Sequence, residues 1–68
     1  MQQISNIGRN IKKYRGRLSL TQDALSRKSG VKYTTLSKIE SGSVKRPTVY
    51  IVAKIAKTLG VGVDDLIK

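Results

Sequence analysis

The segment GVKYTTLSKIESG, residues 30–42, carries the side chains of this sequence best suited to contacting another molecule. Its glycines bracket a helix too short to be stable alone, because isolated helices below about 12 residues are marginal in water. Only Val31, Leu36 and Ile39 are apolar enough for burial, and Glu40 is the single acid. The remaining donors and cations are Lys32, Tyr33, Thr34, Ser37, Lys38 and Ser41. We therefore predict that the rest of the domain holds this segment and leaves its polar face free for a ligand.

The charge balance indicates what kind of ligand that is. The chain has 14 lysine and arginine residues against 4 aspartate and glutamate residues, a net charge of +10, which is self-repulsive in so small a body. Such a balance is typical of nucleic-acid-binding proteins, with a solvated surface or an anionic membrane as the alternatives. Because the basic residues are interleaved with helical patterning and form no terminal tail, nucleic acid is favoured.

Composition excludes several other classes. Without cysteine or histidine there is no disulfide, no zinc site of the usual ligands and no histidine base. No glycine-rich phosphate loop or nucleophile–base pair is apparent, so neither a cofactor nor enzyme activity is expected. The apolar runs are too short to cross a membrane and the N-terminal residues lack a secretory signal, so a cytoplasmic protein without a membrane partner is expected. At 68 residues, the chain is expected to be one domain, 1–68.

Apolar residues at alternating steps of three and four predict an amphipathic first helix. They are Ile4, Ile7, Ile11, Tyr14 and Leu18. Its opposite side is basic, and there solvation is at least as reasonable as ligand contact; these residues are Arg9, Lys12, Lys13 and Arg17. Thr21 then predicts the N-cap of a second helix over about 22–29, which buries Ala24 and Leu25 and ends at Gly30.

Three more helices complete the prediction. The third runs to about Ser41 and ends at Gly42, and Pro47 with Thr48 marks the start of the fourth. The predicted core face of the fourth helix is Val49, Val52, Ala53, Ala56 and Leu59. A short fifth helix covers about 63–67. Since no strand-like alternation persists, we predict an all-α domain of five helices.

Helices two and three, joined by a turn through Gly30, form a helix-turn-helix arrangement. The second helix of this pair buries few residues, which frees its outer face to enter a major groove about 12 Å wide. The periodicity alone would also fit other small helical bundles.

Residues 20–66 resemble the lambda-repressor-like family, which includes phage repressors and Cro proteins. The matching residues are Leu20-Thr21-Gln22, Leu25, Gly30-Val31, Ile39-Glu40, Gly42, Pro47, Ile55-Ala56 and Leu59-Gly60. The resemblance implies a five-helix domain with its helix-turn-helix at helices two and three. It also implies a transcriptional regulator, here expected to be a repressor, that binds double-stranded DNA as a homodimer on a two-fold symmetric operator. Such a protein would associate with the nucleoid through DNA.

The resemblance assigns roles to individual residues. Base reading is implied for Tyr33, Thr34 and Lys38, because lysine donates to guanine acceptors and a threonine methyl or tyrosine edge packs on the thymine methyl. DNA backbone or supporting contacts are implied for Gln22, Lys32, Thr35, Ser37, Lys45, Arg46 and Thr48. Among these, Gln22 is expected to bond a phosphate and to brace the third helix.

Arg15 and Glu40 match a structural ion pair between helices one and three of this family. Glu40 is also the only acid between Asp23 and Asp64. A lone carboxylate near phosphates would weaken binding unless a cation neutralises it. The alternative is a solvated glutamate whose exposed pairing is worth only ~0–1 kcal/mol.

Some residues depart from the family pattern. Lys32 replaces the usual Ser or Thr cap of the third helix, which weakens the cap by about 1 kcal/mol, and Gly62 replaces the usual Ser or Thr before the fifth. Tyr50 and Ile51 make the fourth helix apolar over a wide arc, which suits a subunit contact, a missing partner domain or ordinary surface exposure. The candidate dimer contacts are Tyr50, Ile51, Val63, Leu66 and Ile67, of which the last three also fit core packing.

Several kinds of protein share this resemblance. One is a complete small regulator, such as a Cro-like repressor or a restriction-modification controller. Others are the DNA-binding half of a longer regulator with an unknown effector domain, and an antitoxin that also binds a toxin. A membrane-active basic peptide is disfavoured, because capped helices with glycine turns specify a packed globule.

Overall fold

Five helices follow one another, each close to the boundaries that local sequence signals indicate. The computed structural model describes residues 6–68. Its helices are α1 (Ile7–Arg17), α2 (Gln22–Ser29), α3 (Tyr33–Ser41), α4 (Val49–Leu59) and α5 (Val63–Ile67). No strand occurs within residues 6–68, so the five-helix all-α prediction is confirmed. In this part of the chain no helix has the length and apolar character needed to cross a membrane.

Threonine hydroxyls cap the starts of α2 and α4. Thr21 Oγ1 accepts a hydrogen bond from the N–H of Ala24 at 3.0 Å, and Thr48 Oγ1 accepts one from the N–H of Ile51 at 3.3 Å. Each bond satisfies one of the N–H groups that a helix start leaves unpaired. Helices α2, α3 and α4 each end at a glycine. These boundaries are therefore fixed by local interactions, as the sequence predicts.

All five helices or their connections contribute to one small core. Its buried apolar members are Ile7, Ile11, Leu25, Val31, Leu36, Ile39, Val52, Ile55, Ala56, Leu59 and Leu66. Burial of each large apolar side chain contributes roughly 1.5–3 kcal/mol relative to exposure. Within this packing α3 lies against α1 and α2, whereas α4 lies against α2 and α5. Helix α3 is thus held against α1 and α2 by its buried side, which includes Leu36 and Ile39.

The first-helix prediction needs correction at Leu18, and Ile4 lies outside the described residues. Leu18 is exposed because it follows the last residue of α1, Arg17, and so leaves the helical stripe. Tyr14 is half-buried against the core, as expected.

The predicted core face of α4 is also partly wrong. Val49 and Ala53 are exposed, whereas Ile55 is fully buried. The buried stripe runs through Val52, Ile55, Ala56 and Leu59 at steps of three and four, and Val49 and Ala53 lie on its solvent side.

Leu66 is the one candidate dimer contact that the structure contradicts. Its side chain is fully buried in the core, so no surface remains for a second subunit. Neighbouring bonds hold α5 to α1: Asn10 Nδ2 donates to the Leu66 carbonyl at 2.8 Å, and Asn6 Nδ2 donates to the Lys68 carbonyl at 3.1 Å. Leu66 therefore anchors α5.

The start of α5 lacks a hydroxyl cap because Gly62 occupies the cap position. Asp65 compensates, since its Oδ2 accepts a hydrogen bond from the Gly62 N–H at 2.9 Å. That bond, followed by the Lys68 ammonium at 3.4 Å, lowers the pKa of Asp65 below its ordinary value. The folded chain therefore favours the ionised carboxylate.

Candidate nucleic-acid interface

The outer face of α3 is exposed and polar while its inner face is buried. Leu36 and Ile39 are fully buried, whereas Tyr33, Thr34 and Lys38 are exposed, with Tyr33 at 49% of its full accessibility. Thr34 and Lys38 lie one helical turn apart on the same face. All three side chains expected to read bases are therefore accessible to a ligand from outside the molecule.

The turn between α2 and α3 sets the direction of α3 relative to α2. Gly30 has φ of 79°, a left-handed conformation that strains other residues, and so lets the chain reverse after α2. Val31 is buried beneath the turn. Ser26 Oγ donates to the Val31 carbonyl at 2.6 Å, and Ser29 Oγ accepts from the Val31 N–H at 3.2 Å. The two serines thus secure the turn through Val31.

An ionic network around the buried carboxylate of Glu40 ties α3 to the rest of the domain. Arg15 Nη2 lies 2.7 Å from Glu40 Oε1 and Arg15 Nε lies 2.9 Å from Oε2, which makes the pair bidentate. Gln22 Nε2 donates to Glu40 Oε1 at 3.0 Å, and Arg15 Nη1 donates to the Leu20 carbonyl at 2.9 Å. The Glu40 side chain is only 1% exposed. The network joins α1, the α1–α2 connection, α2 and α3.

The same pair changes the electrostatics of the surface. Glu40 is the single acid of α3, and Arg15 neutralises it. Within the described part of the chain, no carboxylate forms an ion pair with Lys32, Lys38, Lys45 or Arg46. The exposed side of α3 and the loop after it therefore keep their positive charge.

The backbones of α1 and α3 approach each other at Gly8. A Cβ atom on Gly8 would overlap the carbonyl oxygen of Ile39 and lie 3.0 Å from that of Glu40. Any larger residue would push the two helices apart, so Gly8 helps to set the position of α3. Sequence reasoning missed this role, although a glycine beside the buried Ile7 in an apolar stripe is a usable signal.

The expected supporting residues occupy different environments. Lys32, at the N-cap of α3, makes no side-chain capping bond and is exposed, as are Lys45, Arg46 and Thr48. Thr35, Ser37 and Gln22 are half-buried. The loop after α3 is tied back by the Val44 N–H, which donates to the Lys38 carbonyl at 3.0 Å. This bond keeps the Lys45–Arg46 cations close to the C-terminal end of α3.

A shallow groove of about 340 Å³ separates the start of α3 from α4. It is lined by Gly30, Val31, Lys32, Thr35, Ile51 and Lys54. Two lysines make the groove basic. No group of residues able to hold a metal ion occurs in the described chain.

The remaining candidate dimer contacts are spread over α4 and α5. Tyr50 is 78% exposed and Ile67 is also exposed, whereas Ile51 and Val63 are half-buried against the core. Val49, which was expected in the core, adds to the exposed apolar surface beside Tyr50. These residues stay candidates for contact with another chain.

Comparison with known proteins places this geometry in a family. The helix-turn-helix family HTH_3 matches residues 11–66. An uncharacterised HTH-type transcriptional regulator of Methanocaldococcus jannaschii is 39% identical over 56 residues, which cover 82% of this chain and 83% of that protein.

Solved structures agree. The N-terminal DNA-binding domain of SinR from Bacillus subtilis superimposes with a TM-score of 0.88 at 33% identity, covering 90% of this chain and 88% of that one. SinR in complex with DNA gives a TM-score of 0.86 at 33% identity, covering 88% and 95% of the two chains. The chain belongs to the Cro/C1-type HTH_3 family of helix-turn-helix domains and has its lambda-repressor-like fold.

Proposed function

We propose that this protein is a sequence-specific regulator of transcription that binds double-stranded DNA by inserting α3 into the major groove. The observation that carries the proposal is the exposed face of Tyr33, Thr34 and Lys38 on a helix whose other side is tied to α1 by the ion pair between Arg15 and the buried Glu40. A rigid helix with a free polar face can present donors at fixed positions to base edges. The similarity to SinR, which has been crystallised with DNA, supports the same reading.

In this proposal, the residues that contact bases and the residues that contact the DNA backbone use different interactions. In this proposal Lys38 donates to guanine acceptors, and Thr34 and Tyr33 pack on thymine methyl groups. Phosphate or supporting contacts come from Gln22, Lys32, Thr35, Ser37, Lys45, Arg46 and Thr48. Gln22 gives one N–H to Glu40 and retains a second N–H for a phosphate, so it can brace α3 and grip DNA at once.

We propose that the DNA-bound form is a homodimer on a two-fold symmetric operator, with recognition helices about 34 Å apart. The exposed apolar residues Val49, Tyr50 and Ile67 are available for the subunit contact, with Ile51 and Val63 at its margin. Charge opposes association of two free copies because each carries +10, and DNA phosphates would offset that repulsion. Repression follows in this proposal because a seated dimer excludes other proteins from the same promoter.

Selection of bound duplexes from a random pool, combined with sizing of the complexes, tests this function. We expect enrichment of two half-sites related by a two-fold axis, and two protein chains per enriched duplex. Recovery of a pool with no preferred sequence would contradict sequence-specific binding. One half-site with one chain per duplex would contradict the dimer alone.

A further inference from the structure

A second surface carries cations that the recognition helix does not use. Arg9, Lys13 and Arg17 of α1 are all exposed, and we name these three residues the α1 cation face. Among residues 6–68 none of them forms an ion pair. The ion pairs of that region are Arg15–Glu40, Arg27–Asp23 and Lys68–Asp65. Of the four acids only Asp64 is outside these pairs, so three positive charges on the α1 cation face stand against one carboxylate without an ion pair.

An aromatic ring contacts two of these cations. Lys13 Nζ lies 5.0 Å and Arg17 Cζ 5.2 Å from the centroid of the half-buried Tyr14 ring. Contacts at this distance are attractive. Lys13 also lowers the pKa of Asp65, but less than the Gly62 N–H and Lys68 do. Lys13 and Arg17 therefore have an attractive contact with the ring but no ion-pair partner among residues 6–68.

Helix geometry directs Lys13 and Arg17 of the α1 cation face away from α3, and Arg9 lies one helical turn before Lys13. Successive residues are about 100° apart around a helix, which places Lys13 and Arg17 opposite Gly8 and Arg15. Gly8 and Arg15 are two residues of α1 that meet α3. On α3, Glu40 faces α1 and the exposed Thr34 and Lys38 face outward. Two basic surfaces therefore point in different directions from a body that measures 36 × 21 × 20 Å.

The residue types of the α1 cation face indicate which kind of molecule it binds. Protein–protein interfaces are built around apolar and aromatic cores with few charges, whereas a phosphate backbone needs cations and little else. The α1 cation face consists of three exposed charged groups, and the half-buried Tyr14 ring is the apolar group in contact with Lys13 and Arg17. We propose that this face binds the phosphate backbone of a second DNA duplex, so that one protein seated through α3 bridges two duplexes. This inference rests on the proposed function for the first duplex.

A capture assay tests the bridge. A random-sequence duplex is fixed on beads, saturated with protein at low salt, washed, and offered a second, fluorescent duplex. The test variant is Arg9→Gln/Lys13→Gln/Arg17→Gln. The matched control, Lys28→Gln/Lys54→Gln/Lys57→Gln, removes the same number of exposed positive charges, three, from α2 and α4. Melting temperatures verify that both variants fold.

We expect the wild type and the control variant to capture the second duplex, and the test variant to lose capture by about tenfold or more while staying on the beads. Capture by the test variant equal to that of the control would overturn the proposal, since a dimer with two recognition helices would then hold both duplexes. Wild-type protein that stays on the beads without capturing would overturn it as well. If no protein stays on the beads, the proposed function fails and the bridge fails with it.

Discussion

Arg15 and Glu40 form a bidentate ion pair across α1 and α3, with N···O distances of 2.9 and 2.7 Å and the glutamate side chain almost fully buried. The pair does two things at once. It fixes the back of the recognition helix, and it cancels the single acidic charge on that helix. Stability and DNA affinity are therefore coupled at this position.

We expect Arg15→Ala to lower the free energy of unfolding by about 3 kcal/mol, because it leaves a buried carboxylate without its cation. Urea denaturation measures the change. Arg27→Ala is the matched control, since it breaks an exposed pair with Asp23 whose side chains are 75% and 62% accessible, and should cost less than about 1 kcal/mol. Equal losses in the two variants would show that the Arg15–Glu40 pair has no special structural role.

The close approach at Gly8 gives a second prediction. Gly8→Ala should destabilise the fold by about 1 to 3 kcal/mol, because its Cβ would overlap the backbone of α3. Gly16→Ala in the same helix has open space around it and should stabilise the fold by about 0.5–1 kcal/mol. Thermal melting of both variants checks the contrast. A Gly8→Ala protein as stable as Gly16→Ala would rule out tight packing of α1 on α3.

Changing Lys38 to alanine and changing Arg46 to alanine should affect DNA binding in different ways. Lys38→Ala should relax base preference at one operator position, by ~1–3 kcal/mol against the wrong base. Arg46→Ala should weaken binding to all sequences alike. It should also reduce the slope of log affinity against log salt concentration by about one unit. Binding to a randomised duplex library at several salt concentrations measures both. Identical profiles for the two variants would refute the division between base reader and backbone contact.

The lowered pKa of Asp65 predicts a pH dependence. A carboxylate whose pKa is lower in the folded than in the unfolded chain adds its full stability above the unfolded pKa, here 3.8, and loses that stability as the pH falls through the folded pKa. Asp65→Asn removes this contribution, so its melting temperature should lie below that of the wild type at pH 7. The difference should shrink as the pH falls below about 4. A difference that stays constant over this range would mean that the charge of Asp65 does not hold α5.

Sequence reasoning succeeded where the determining interaction is local. Thr21 and Thr48 cap the starts of α2 and α4 by accepting hydrogen bonds from N–H groups three residues ahead. Gly30 and Gly42 end α2 and α3 because each adopts the left-handed conformation. These boundaries therefore follow from short segments of sequence. The exposed face of α3 followed from the position of its apolar residues.

Features that depend on distances between helices were not predictable in this way. The overlap at Gly8 exists only because the backbone of α3 lies against α1, and the Asn10 bond to α5 joins residues 56 positions apart. Val49 fits an apolar stripe in sequence, yet it lies on the solvent side of the stripe that packs. Periodicity identifies a face, but the neighbouring helices decide which part of it is covered.

The central claim is that the outer face of α3 reads base edges, and NMR titration of ¹⁵N-labelled protein with a selected duplex and a scrambled duplex of equal length tests it most directly. We predict that the difference between the two titrations is concentrated at Tyr33, Thr34 and Lys38, whereas Lys45 and Arg46 shift alike with both duplexes. Sequence-dependent shifts confined to other helices, with Tyr33 through Lys38 unchanged, would contradict the account.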